Sequence, residues 1–112
     1  GADSFIFNTA LNASTNKDTL SDFVSGTDNI CLDDAIFTTI GGLGGFALGD
    51  VRFYSAAGAT AGHDLDDRMI YNTTTGALYY DADGNGAGAA VQVALVGVSI
   101  HPALAATDFV VV

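Results

Sequence analysis

The segment DTLSDFVSGTDNICLDDAIF, Asp18 to Phe37, decides the fold. Two short apolar runs, Leu20–Val24 and Ile30–Leu32, flank a tight Ser25-Gly26-Thr27 turn, and Asp18, Asp22 and Asp28 punctuate them. Runs this short, bounded by turn residues, read as strands. Asp18 and Asp28 stand ten positions apart with Gly26 between them, so a turn there brings both carboxylates back towards one point. Two bare carboxylates about 4 Å apart repel by roughly 4 kcal/mol at an effective dielectric near 20. A divalent cation converts that repulsion into a bond network. The alternative is two ordinary turn aspartates, and spacing alone leaves both readings standing.

Composition carries the same signal across the chain. Three basic residues (Lys17, Arg52, Arg68) face thirteen acids, for a net charge of −10. Every acid is Asp. Glu favours helices, whereas Asp favours caps and turns and offers a short carboxylate to a metal. With 14 Gly and many Thr, Val and Phe, the chain reads as strands and turns. Three bases cannot assemble a basic patch, so nucleic acid and anionic lipid are poor partners and a cation is a good one. At 112 residues the chain is expected to form a single domain, 1–112. Cys31, the lone cysteine, sits between Ile30 and Leu32 and reads as a small core residue. No apolar run approaches the ~20 residues of a membrane helix, and the start carries no basic-apolar signal peptide. Membrane insertion is not expected.

Working towards the start, Gly1, Asp3 and Phe5 fit the second half of the nonapeptide G-G-x-G-x-D-x-U-x. In that repeat the Asp carboxylate and turn carbonyls bind calcium, and the apolar U residue points into a parallel β-roll. Asp3 also reads as a plain turn residue.

Working towards the end, Asp33-Asp34 is placed to cap a short helix through Ile40, with Ile36, Phe37 and Ile40 on one side. Val51–Ser55 is a candidate strand. Arg68–Asn72 and Ala77–Asp81 flank Thr73-Thr74-Thr75-Gly76 as a hairpin, with Met69-Ile70-Tyr71 pairing across to Leu78-Tyr79-Tyr80. Ala90–Val96 alternates as a strand. Asp108–Val112 reads as a terminal edge strand with a charged start. The expected class is all-β: the end of a parallel β-roll followed by an antiparallel meander or sandwich, with at most one short helix.

Asp81-Ala82-Asp83-Gly84-Asn85-Gly86 follows the D-x-D-x-N-G opening of a calcium loop, with Gly86 where the chain must turn sharply. The twelfth position is Gln92 rather than a bidentate Glu, and the flanks read as strands. A weakened ion site at Asp81, Asp83 and Asn85 and an ion-free turn both stand. Asp64, Asp66 and Asp67 cluster beside His63 and Arg68; this reads as a site or, since it borders a glycine-rich loop, more readily as a solvated edge. His63 and His101 lack zinc spacing, and Ser25 and Ser55 lack nucleophile context. No catalytic constellation emerges, and an enzyme is not expected.

Taken together, these segments resemble the C-terminal region of repeats-in-toxin (RTX, hemolysin-type calcium-binding) secreted proteins, including the tail shared with serralysin-type metalloproteases. GADSFIFNT is similar to a last calcium-roll repeat. DTLSDFVSGTDNICLDD is similar to the family's D-x-I-x-D-F-x-x-G-x-D-x-I-x-L segment, with Leu20 and Cys31 departing from the usual Ile and polar residue. DDRMIYNTTTGALYYDADGNG with VQVALV resembles a distal hairpin of such proteins, and DFVVV resembles the acid-plus-hydrophobic end read by type I secretion machinery. The resemblance implies Ca2+ contacts from Asp18 and Asp28, with Asp3 in the repeat aspartate position. It implies a secretion signal in Asp108, Phe109, Val110, Val111 and Val112, and a secreted, extracellular protein. The implied partners are calcium, the type I secretion apparatus and upstream RTX repeats of the parent chain. The implied function is a non-catalytic calcium-binding cap that folds outside the cell. The alternative is an extracellular adhesion or carbohydrate-binding module using calcium or a ridge of Tyr71, Tyr79 and Tyr80.

Overall fold

The computed structural model describes residues 4–7, 18–20, 23–84, 86, 90–97 and 101–112. Nine strands are defined: β1 (Ser4–Phe7), β2 (Asp18–Leu20), β3 (Asn29–Leu32), β4 (Gly44–Gly45), β5 (Phe53–Ala56), β6 (Met69–Asn72), β7 (Ala77–Tyr80), β8 (Val91–Val96) and β9 (Phe109–Val111). One 3-10 turn, Ala106–Asp108, precedes β9. The fold is all-β. No helix among the described residues is long and apolar enough to cross a membrane.

The strands form two mixed sheets, ordered β1-β3-β9-β4 and β2-β8-β7-β6-β5. In the first, β1 and β9 both run parallel to β3, and β4 runs antiparallel to β9. In the second, β6, β7 and β8 form an antiparallel meander flanked by two parallel pairings, β5 on β6 and β2 on β8. The β6–β7 register sets Met69 opposite Tyr80 and Tyr71 opposite Leu78, as the alternation predicts. Its turn is built by Asn72, whose Oδ1 accepts the Thr74 N–H at 2.9 Å, and by Gly76 at φ +77°. A Cβ at Gly76 would run into the His101 ring and the Val96 carbonyl, so glycine is needed for space as well as conformation.

One core lies between the sheets. The first contributes Phe7, Ile30, Leu32, Phe109 and Val111, and the second Leu20, Met69, Tyr71, Leu78, Tyr80, Val93 and Val96. Each fully buried Leu, Ile or Phe stabilises by about 1.5–3 kcal/mol relative to an exposed one. Phe37 meets the Tyr80 ring edge-on at 4.9 Å, a geometry that adds about 0.5–1.5 kcal/mol. Cys31 is buried, as its apolar neighbours predict.

Two expectations are corrected. The terminal strand is not an edge: β9 lies between β3 and β4, with Phe109 and Val111 buried. Nor does a helix form over 33–40. Phe37 donates to the Asp33 carbonyl at 2.8 Å, closing one helical turn. The Thr39 N–H then donates to the Tyr80 hydroxyl and its Oγ1 to the Ala82 carbonyl, which takes the backbone out of the helical ladder. Phe37 and Ile40 still reach the core, as the spacing requires.

Candidate metal centre

The acids singled out in the sequence fall into distinct environments. Asp3 and Asn85 lie outside the described residues. Asp18 belongs to β2 in the second sheet, whereas Asp28 directly precedes β3 in the first. Asp28 is buried and closes the 24–28 turn reciprocally: its N–H donates to the Val24 carbonyl and its Oδ2 accepts the Val24 N–H, both at 2.8 Å.

Asp108 is only 1% exposed, and its carboxylate is saturated. Oδ1 accepts the Gly26 N–H at 2.9 Å. Oδ2 accepts the Ser25 hydroxyl at 2.6 Å and the Ala105 N–H at 2.9 Å. It ties the Ser25–Thr27 turn to the strand that follows it. Of the other residues read as a secretion signal, Phe109 and Val111 are buried, Val110 is half-buried and Val112 is exposed.

His63, Asp64 and Asp67 present ligand atoms within 4.8 Å of one another. Asp67 is not part of a solvated edge, being 2% exposed. Its Oδ2 accepts the His63 N–H at 2.9 Å and the Asp64 N–H at 3.1 Å, and meets His63 Nδ1 at 2.6 Å. The His63 ring stacks on Tyr54 at 3.8 Å. Asp67 therefore works first as the organiser of its own turn.

Asp81 differs. It is also 1% exposed, and its Oδ2 accepts the Gly62 N–H at 3.1 Å. Oδ1 is buried without a hydrogen-bond partner. Asp83 stands beside it, within hydrogen-bonding reach of its carboxyl. Two ionised carboxylates have no proton to share. Burial pushes the pKa of Asp81 up and the Asp83 carboxyl pushes the same way, while the Gly62 and Asp83 N–H groups oppose this. The two loops are in close contact here. A Cβ at Gly84 would collide with the carbonyl oxygens of Asp64 and Leu65, and one at Gly62 with the Gly84 carbonyl. The structure thus places Asp81 and Asp83 beside one another. The approach of residues 62–67 had no local sequence signal, since Gly62 and Asp81 are joined only through tertiary packing.

The tyrosines do not form an open ridge: Tyr71 and Tyr80 are buried and only Tyr79 is half-buried. Comparison with protein-family models, with curated proteins and with solved structures returned no match for this chain.

Proposed function

We propose that this chain is the non-catalytic, calcium-binding C-terminal cap of a secreted RTX-type protein. The observation that carries the reading is a pair of edge strands. β1 ends the first sheet and β2 the second, and each is paired parallel to its inner neighbour. Between them opens a cleft of about 370 Å³ lined by Ser4, Phe5, Ile6, Phe7, Thr19 and Leu20. A coil of a parallel β-roll laid against this end continues both sheets at once and covers Ile6, which is exposed in the isolated chain. In turn, the cap covers the strand edges of the roll, which otherwise invite aggregation.

The net charge of −10 supports calcium-dependent folding, because self-repulsion opposes compaction until cations are bound. Extracellular calcium sites of modest affinity, roughly 0.1–1 mM, suit a chain that stays loose in a calcium-poor cytoplasm and folds outside. In this reading the type I apparatus reads Asp108–Val112 before folding, since Asp108, Phe109 and Val111 are buried afterwards.

The test is amide exchange on the chain alone and joined to a nonapeptide-repeat roll, both in calcium. The expected outcome is slower exchange across Ser4–Phe7 and Asp18–Leu20 in the joined form. Unchanged exchange at both strands would rule out capping.

A further inference from the structure

We propose that the loops spanning residues 62–67 and 81–84 together form a binding site for a hard divalent cation of the calcium class, with Asp81 Oδ1 as its buried anchor and the Asp83 carboxylate as a second ligand. The inference rests on these loops and not on the capping reading.

The first support is the orphaned oxygen. A carboxylate oxygen removed from water without a partner is destabilising unless something meets it. Asp81 cannot turn away to relieve this, because the Gly62 N–H holds Oδ2 and Thr39 fixes the adjacent Ala82 carbonyl at 2.8 Å. The second support is that the basic side chains among the described residues are committed elsewhere. Arg52 forks onto Asp50, with its Nη2 2.7 Å from Oδ2. Arg68 donates to the carbonyls of Thr39, Leu65 and Asp67. His63 is taken by Asp67 and Asp64. Among the described residues, no basic side chain makes an ion pair with Asp81.

The donor set identifies the ligand class. Two carboxylates and the main-chain carbonyls gathered at this junction are all hard oxygen donors, which suit Ca2+ and not zinc or copper. Irregular loops fit the flexible shell of Ca2+ better than the strict octahedron of Mg2+. Bound there, the ion adds a cross-link to two loops already joined by the Gly62–Asp81 hydrogen bond.

Terbium luminescence tests the site, since Tyr80 immediately precedes Asp81 and can sensitise a bound Tb3+. The expected result is a saturable signal displaced by Ca2+, with affinity reduced about tenfold or more in Asp81→Asn. The doubly substituted Asp18→Asn, Asp28→Asn chain is expected to keep the signal. A second readout needs no substitution: calcium, but not an equal concentration of magnesium, raises the melting temperature of the unaltered chain at pH 7. If Asp81→Asn does not fold, Asp83→Asn takes its place. Terbium binding indifferent to Asp81 and Asp83, or a melting temperature indifferent to calcium, overturns the site. The latter is the result expected if a shared proton, and no metal, joins the two carboxyls.

Discussion

Asp108 and Asp81 are equally buried, yet their surroundings are opposite. Asp108 receives three hydrogen bonds, from Gly26, Ser25 and Ala105, and needs nothing from solvent. At Asp81 the Gly62 N–H reaches Oδ2, while Oδ1 stays bare beside another carboxylate. Burial alone therefore does not separate an aspartate that holds a fold together from one prepared for a ligand. The accounting of each oxygen does. Asp50 is an intermediate case, because its charge is met by a cation from the same chain, Arg52.

The largest effect is expected at the saturated junction. Asp108→Ala removes all three bonds and strands the Gly26 and Ala105 N–H groups, for a loss of about 3–4 kcal/mol. Urea unfolding with calcium and with chelator should give the same loss. A loss seen only with calcium would move Asp108 into the ion-binding class and erase the contrast.

Next comes Gly84→Ala, at φ +66° and against the Asp64 and Leu65 carbonyls. It should cost about 2–3 kcal/mol by forcing the loops apart. It should also abolish the calcium-dependent rise in melting temperature while leaving every carboxylate in place. Retention of that rise would show that loop contact is irrelevant to the ion.

Asp50 supplies a pH test. Its hydrogen bond to Arg52 lowers its pKa from 3.8 to about 2 in the folded state. Because the folded value is the lower one, the stabilisation is complete above about pH 4 and is lost as pH falls through about 2. After solvent screening it amounts to about 1–2 kcal/mol. Arg52→Gln should remove this part of the acid sensitivity, as read from melting temperatures across that window.

The smallest effect is the most discriminating. Without calcium, Asp81→Asn should stabilise the fold by about 1 kcal/mol, because it removes a buried charge facing Asp83. With calcium, the order should reverse. Chemical denaturation in both conditions reads the crossing, and parallel behaviour of the two proteins would count against a cation site.

What the sequence disclosed was what neighbours along the chain decide. The β6–β7 hairpin was legible because Asn72, Gly76 and the alternation from Met69 to Tyr80 act within a dozen residues. The D-x-D spacing at Asp81 and Asp83 was legible for the same reason. The central place of β9 was not, since an apolar strand looks alike whether one neighbour or two will pair with it. The false helix at 33–40 arose because Ile36, Phe37 and Ile40 fit a helical face, while the competing bonds from Thr39 come from Tyr80 and Ala82, far along the chain. Asp67 looked solvated because its partners are the main-chain N–H groups of its own turn, which composition does not reveal.

The position of β9 also bears on when the molecule can assemble. Its pairing with both β3 and β4 leaves the first sheet split until residues 109–111 are available. While those residues are still inside the ribosome, β3 has no partner on that side and Phe46 and Phe53 lack the Phe109 ring they pack against. Folding of this half therefore waits on residues 109–111, the last of its described strands to be made.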